Sequence, residues 1–236
     1  MSLSPAKRER RRRDIGARAT APSLEAPRRC TVLGCTNLTQ RSAGTGLSTR
    51  HCKRHKEMLR RHGVTWRKSF TETELAPYRK SVRTWVRLNR GRPEFQEAIT
   101  DLDSMLAASG KPKDAFAVQS ARPKEKARIA LARLREAGKG GEHLLTIVLT
   151  IKAITTDKGP RGNPEFQQVQ IAKRAHRLIP RTRIKSDIWG DIAKRTRPEG
   201  LVMRILGEKL IEAAGGTATG EVIREVIALK NAGGAQ

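Results

Sequence analysis

All three cysteines of this chain lie between positions 30 and 52, and a histidine follows closely behind the last of them. Four residues separate Cys30 from Cys35, sixteen separate Cys35 from Cys52, and two separate Cys52 from His55. A tetrahedral Zn²⁺ ion in a structural site takes four sulfur and nitrogen donors, commonly as two close pairs on two short turns. The spacing therefore predicts a Cys3His zinc site formed by Cys30, Cys35, Cys52 and His55.

Two other arrangements of the same residues stay open from the sequence alone. The cysteines could be buried or reactive thiols that happen to be neighbours, and His51 could replace His55 as the fourth donor. A disulfide is disfavoured because the number of cysteines is odd and the first residues show no apolar signal-like core. His55 is preferred over His51 because positions 52 and 55 can share one turn of a helix, and Gly34 permits a tight turn before Cys35.

The segment around this pattern resembles the short zinc modules of phage and mobile-element proteins of bacteria. The likeness covers residues 29–66 and consists of Cys-x4-Cys, a loop with Gly and Thr, Cys-x-x-His, and a basic helix that ends at Arg61-His62-Gly63. Some such modules are attached to nucleases of the His-Asn-His type, so the resemblance implies a DNA-associated role. This chain has no placeable His-Asn-His triplet on a strand, loop and helix, and the resemblance therefore implies no reaction.

The charge of the chain points to a polyanionic partner. Its 236 residues include 49 Lys and Arg against 23 Asp and Glu, a formal net charge of +26 that exceeds what solubility requires. The longest apolar run, residues 144–154, contains Lys152 and is too short to cross a bilayer. The cationic excess is spread over the chain, which favours nucleic acid over a membrane surface.

Helical periodicity dominates after the cysteine segment. We therefore expect a mainly α fold, with a small zinc-stabilised N-terminal module followed along the chain by a multi-helix region. Apolar residues are sufficient for a modest core, which has to be largely aliphatic because aromatic residues make up only 3% of the chain. The expected parts are a disordered basic arm (1–29), the zinc module (30–66), a helical domain (67–155), a linker (156–163) and a C-terminal helical region (164–236).

Start and stop signals define the individual helices. Gly63 is expected to end a helix over residues 49–62, and Thr71 with Glu74 forms a capping-box pattern. Pro77 conflicts with one continuous helix from that box, which predicts a short turn first and a helix that begins at Pro77. Residues 142–155 are expected to form a buried helix, although their β-branched side chains leave a strand open. Further helices are expected at about 91–106, 123–137, 164–178, 186–195, 198–213 and 219–231.

Clusters of Arg and Lys mark the candidate contacts to nucleic acid, on the arm, on the helix after Cys52 and on the helix after Pro77. A solvated charged face is the alternative explanation for each cluster. Trp66, Tyr78 and Trp85 could stack on bases, but their spacing favours packing in the core. The candidates are Arg10, Arg11, Arg12, Arg13, Lys53, Arg54, Lys56, Arg60, Arg61, Arg67, Arg79, Arg83 and Arg87.

The sequence thus favours a structural-zinc protein of a phage or mobile element that binds nucleic acid, duplex DNA in preference to RNA, in the bacterial cytoplasm at the nucleoid. One alternative is a metal-dependent endonuclease in which His51, His55 or His62 activates water, and another is an RNA-binding or assembly protein. No catalytic residue is assigned, because the carboxylates of residues 94–103 lack an accompanying histidine and suit the first turns of a helix. The C-terminal helices are candidates for self-association or for a protein partner.

Overall fold

The computed structural model describes residues 5–21, 26–113, 118, 121–159, 163–180, 182–184, 192–194 and 200–233. The fold is mainly α-helical, as the periodicity predicts, and the Cys3His cluster lies near the N-terminus. Contacts divide the chain into two compact units, residues 1–68 and residues 69–236. The three cysteines lie in the first unit, and the second unit has an apolar helical core.

The first unit opens with a helix where the sequence predicted a disordered arm. Helix α1 spans Pro5–Thr20, and its described side chains lie almost entirely in solvent. Its composition explains the difference, because Ala, Arg, Lys and Glu have high helix propensity and proline is favourable as the first helical residue. The guanidinium of Arg41 donates to the backbone oxygens of Arg18 and Ala21, at 2.5 and 3.2 Å, and so holds the end of α1.

Helix α2, Lys53–His62, completes the first unit. It ends as predicted at Gly63, whose φ of 83° is in the left-handed region, and the Gly63 N–H donates to the Leu59 oxygen. It begins at Lys53, later than the predicted residue 49, because Cys52 has extended backbone and occupies the N-cap position. The extended backbone before Lys53 is part of the loop that carries the cysteines.

The second unit consists of seven helices and a short hairpin in the part of the chain that the structure describes. The helices are α3 (Glu72–Asn89), α4 (Pro93–Ala107), α5 (Pro123–Glu136), α6 (Gly141–Lys158), α7 (Pro164–Arg177), α8 (Leu201–Ala213) and α9 (Gly220–Ala232). Strands β1 (Thr182–Ile184) and β2 (Ile192–Lys194) pair antiparallel, with Arg183 opposite Ala193.

Helix α6 is the central element of the second unit. It packs against α3, α4, α7 and α9, and its residues Leu144, Leu145, Val148 and Leu149 are fully buried. Residues 142–155 are therefore a buried helix, as predicted, and the alternative of a strand is wrong. Burial on several sides is expected for a helix whose apolar residues surround its axis.

Helix α3 runs continuously through Pro77, so the prediction of a helix that begins at Pro77 is wrong. The capping box at Thr71 and Glu74 is present as predicted: the Glu74 N–H donates to Thr71 Oγ1 at 3.2 Å, and Glu74 Oε2 accepts from the Thr71 N–H at 2.7 Å. This box fixes the start of the helix before the proline is reached. Pro77 then removes a single backbone hydrogen bond near the N-terminal end, which the buried face of α3 compensates.

Two predictions about the segment between α6 and α8 differ from the structure. The linker was expected to begin at residue 156, but α6 continues to Lys158; residues 160–162 of the linker lie outside the described residues. The helix expected over 186–195 is wrong at Ile192–Lys194, which form β2, and its other residues lie outside the described part. Ile184 and Ile192 pair across the hairpin, as β-branched residues favour.

Close packing between α7 and α8 depends on Gly207. A Cβ atom at this position would lie only 2.0 Å from the backbone oxygen of Gln168 on α7. Only a glycine therefore permits the backbones of α7 and α8 to approach each other this closely.

Candidate metal centre

The first pair of donors lies on a turn that the backbone closes. The Cys35 N–H donates to the Val32 oxygen at 3.0 Å, and Gly34 between them has a φ of 75°, which favours glycine over other residues. The Cys30 N–H donates to the Asn37 oxygen at 2.9 Å, next to a bridge between Arg29 and Leu38. These bonds bring Cys30 and Cys35 to the same side of one small loop.

The second pair of donors lies at the start of α2. Cys52 is the N-cap residue, its oxygen accepts from the Lys56 N–H at 2.9 Å, and His55 follows in the first turn. The Thr31 N–H donates to the Arg50 oxygen at 2.9 Å, which places the segment before α2 beside the loop of the first pair. Two local structures thus present two donors each to a common centre.

The four donor atoms lie close enough together to share one metal ion. Cys30 Sγ lies 3.3 Å from His55 Nδ1, Cys52 Sγ lies 3.5 Å from the same nitrogen, and the sulfurs of Cys35 and Cys52 are 4.0 Å apart. All four lie within 4.8 Å of one another. Around zinc, with bonds of about 2.3 Å to sulfur and about 2.0 Å to nitrogen, tetrahedral angles place donors about 3.5 to 3.8 Å apart. The predicted residues can therefore hold one metal ion.

The ionisation of the thiols fits a site that takes a cation. Burial opposes ionisation of Cys30, but hydrogen bonds from the backbone of Cys52 and Val32 and from the His55 side chain outweigh it and lower the pKa to about 6. At Cys35 the backbone of Asn37 favours the thiolate, whereas burial and the two neighbouring cysteines raise the pKa overall. Thiolates this close together repel one another, and a bound cation removes that repulsion.

The surroundings of the donors distinguish His55 from His51. Cys30 and Cys52 are buried, and the Asn37 side chain donates to Cys35 Sγ at 3.8 Å. His51 lies outside the four-donor group, and its backbone N–H donates to Ser48 Oγ. Burial together with the charges of Arg50 and Lys56 lowers the pKa of its ring. The alternative of His51 as the fourth donor therefore does not fit the structure.

The cationic candidates of the first unit lie on the surfaces of α1 and α2. Arg10, Arg11, Arg12 and Arg13 on α1 are exposed, and so are Lys53, Arg54, Lys56, Arg60 and Arg61 on α2. Arg60 and Arg61 share Glu57 as an ion-pair partner, the first at 3.3 Å. Arg67, which follows α2 in the chain, is half-buried.

The candidates on α3 belong to the second unit. Arg83 and Arg87 are exposed, and Arg79 forms an ion pair with Glu72. Tyr78 and Trp85 are buried on the opposite face, where the Trp85 indole donates to Glu225 at 2.6 Å, so their expected core packing is confirmed. The same prediction is wrong for Trp66 of the first unit, which is 63% exposed.

Two arginines of α5 bind backbone oxygens of the second unit. Arg135 on α5 donates to the oxygens of Leu106, Ala107 and Gly110, and Arg128 donates to the oxygen of Ser109. These carbonyls lie at the C-terminal end of α4 and just beyond it, where the regular hydrogen bonding of a helix stops. Arginines at this position donate hydrogen bonds to the end of α4, and their positive charge stabilises the negative end of its dipole.

Sequence reasoning missed Arg174 and Arg177 on α7, which lie with Arg79 around Glu72. Their positions in a predicted helix gave no sign of this, because Glu72 is 102 and 105 residues away in the chain.

Comparisons with models of protein families, with curated proteins and with solved structures found no match to this chain. None of the helices in the described ranges combines the length and the apolar character that crossing a bilayer demands.

Proposed function

We propose that the chain is a nucleic-acid-binding protein, with duplex DNA as its partner, in which one zinc ion at the Cys3His cluster orders the cationic first unit. Three cysteine sulfurs and one imidazole nitrogen are the donor set that zinc prefers in structural sites. Four protein donors also close the coordination shell, which leaves no position for an activated water. Zinc would therefore stabilise the unit and take no part in a reaction.

The density of positive charge in the first unit is the observation that carries the nucleic-acid proposal. Residues 1–68 hold 18 Lys and Arg against four Asp and Glu, a formal charge of +14, whereas the larger second unit, with 31 against 19, has +12. The candidate cations of α1 and α2 are exposed. A closely spaced set of exposed cations releases the counterions of a polyphosphate, which is the main source of affinity in such complexes.

Helices that carry these charges fit duplex DNA better than folded RNA. Helix α1 has 16 residues and α2 has ten, and an α-helix is about 10 to 12 Å wide with its side chains. The major groove of B-form DNA, about 12 Å wide, accepts such a helix, whereas that of A-form RNA is deep and narrow. Arg67, Arg79, Arg83 and Arg87 are further candidate contacts to phosphates.

The biological setting is proposed from the resemblance of residues 29–66 to zinc modules of bacterial phage and mobile-element proteins. A protein of that kind would work in the bacterial cytoplasm at the nucleoid. The helices α8 and α9 would then be available for self-association or for a protein partner.

Competition at fixed salt tests the proposal. We expect the zinc-loaded protein to bind a fluorescent duplex of random sequence. Unlabelled duplex DNA should displace this fluorescent duplex from the protein better than single strands or structured RNA of equal length. Preferential displacement by RNA would favour the alternative of an RNA-binding protein. Nicking of the duplex that requires a divalent metal and survives the substitution Cys30→Ser would favour the endonuclease.

A further inference from the structure

A groove of about 390 Å³ lies between α3, α6 and α7 in the second unit. The volume is in the range of sites for small ligands. Buried or half-buried aliphatic side chains form part of its lining, among them Leu75, Ile147 and Ile151. The groove is therefore able to take an apolar group as well as a charged one.

Positive charge exceeds negative charge in this groove. Among the described residues that line it are four arginines and two glutamates; the arginines are Arg79, Arg83, Arg174 and Arg177. One of the glutamates, Glu142, is already bound by both oxygens to Arg90, at 3.0 and 3.2 Å, and Arg90 is not a lining residue. The other, Glu72, forms its ion pairs with arginines that line the groove.

Three guanidinium groups converge on the single carboxylate of Glu72. Arg79 contacts one of its oxygens, Arg174 contacts the other, and Arg177 Nη1 lies 3.0 Å from the oxygen that Arg174 contacts. A backbone hydrogen bond also fixes Arg174, because its Nη2 donates to the Phe70 oxygen at 2.6 Å. Only 12% of the Arg174 side chain is exposed. One carboxylate thus occupies a position in which three arginines could bind an anion of higher charge.

Burial, together with the charge of Arg177, lowers the pKa of Arg174 to about 10, so this guanidinium is still charged at neutral pH. A buried cation needs anionic partners. Glu72 is a weak partner for this purpose, because 60% of its side chain is exposed and its charge is screened by solvent.

Glu72 can leave the arginines without disturbing α3. It is the first residue of that helix, and the helix start is held by the capping box of Thr71 and Glu74, in which Glu72 takes no part. An anionic ligand could therefore replace the carboxylate while the helix remains intact.

We propose that this groove binds a phosphate monoester, with Arg79, Arg174 and Arg177 on the phosphate and Glu72 displaced into solvent. A phosphate monoester carries about −1.5 to −2 charges at pH 7 and has three acceptor oxygens. A phosphodiester inside a nucleic-acid strand carries one charge and matches the cluster less well. Phosphate monoesters occur on free nucleotides and at the 5′ ends of strands, and in both the nucleoside could lie against the aliphatic lining.

Calorimetry of the full zinc-loaded chain with adenosine 5′-monophosphate and with adenosine tests this site. We expect binding of the nucleotide and none of the nucleoside. Arg177→Gln should weaken nucleotide binding about tenfold to hundredfold, since a charge-assisted hydrogen bond is lost. Lys80→Gln is the matched control, because Lys80 is exposed on α3 outside this groove, and we expect unchanged affinity. Equal binding of adenosine and its phosphate would overturn the proposal.

Glu72→Gln gives a result of opposite sign, which a merely structural cluster would not produce. Removing the competing carboxylate should strengthen nucleotide binding about fivefold, the factor for about 1 kcal/mol. Unchanged or weaker binding by this variant, with an unchanged thermal transition, contradicts the site. Arg79→Gln provides a second loss-of-charge variant in case Arg177→Gln lowers stability.

Short single strands with and without a 5′ phosphate identify the source of the group. A preference for the phosphorylated strand that Arg177→Gln abolishes assigns the site to strand ends, and a preference confined to the mononucleotide assigns it to free nucleotides. The triple variant Lys53→Gln, Arg54→Gln, Lys56→Gln lies in the other unit and should leave nucleotide binding unchanged. The groove and the proposed DNA binding can therefore fail independently.

Discussion

Neutralising three exposed cations of α2 should reduce both the affinity for duplex DNA and its dependence on salt. The variant is Lys53→Gln, Arg54→Gln, Lys56→Gln, whose side chains are exposed and have no ion pair among the described residues. Each phosphate contact contributes about 0.9 to the slope of log K against log salt. If all three residues contact phosphates, the slope becomes shallower by about 2.7, and the variant loses most affinity at low salt.

Fluorescence anisotropy with one duplex at several salt concentrations measures this slope. The matched control is Lys124→Gln, Lys209→Gln, Arg224→Gln, which removes the same charge from exposed positions on α5, α8 and α9. We expect the control to change the slope by less than about 1, because long-range effects of net charge are screened beyond about 10 Å at 0.1 M salt. Equal slopes for the two variants would refute a specific role of α2 and leave only non-specific attraction to a basic protein.

Three further outcomes follow from the structure. Cys35→Ser should abolish stoichiometric zinc binding and unfold the first unit, while a cooperative thermal transition of the helical second unit persists in calorimetry. Gly207→Ala should destabilise the second unit by about 1 to 3 kcal/mol in chemical denaturation, since its Cβ would overlap the backbone oxygen of Gln168; Gly233→Ala, which meets only ordinary contact, should not. Hydrogen bonds and charges from Arg128 and Lys113 lower the pKa of Glu125 to about 2, so its contribution is complete above its unfolded pKa of about 4.3 and disappears as pH falls towards 2. Glu125→Gln should therefore lower the melting temperature at pH 7 and have little effect near pH 2, and a loss independent of pH would contradict the ion pairs.

The Cys3His cluster could be predicted from the sequence because its parts are local. All four donors come from residues 30–55, on one tight turn and one helix start, and few other arrangements of such a short segment bring them together. The helices of the second unit were also predictable, since their apolar periodicity and their Pro and Gly ends are local signals. The same local signals misplaced the start of α3, because a capping box overcame the effect of Pro77.

Contacts between distant residues could not be predicted in this way. The sequence shows that α5 and α7 are rich in arginine, but it does not show that Arg135 completes the end of α4 or that Arg174 meets Glu72. Those partners depend on how the helices pack. The arm before the cysteines differs from the prediction for another reason: its charge density indicates disorder, but its residue types favour the helix that Pro5–Thr20 forms.

Zinc content of the purified, reduced protein tests the central claim most directly. Elemental analysis should find one zinc per chain in the native protein and almost none in the Cys35→Ser variant. A zinc content near zero in the freshly purified native chain would contradict the account, because the four donors would then have another role and the cationic unit another source of order.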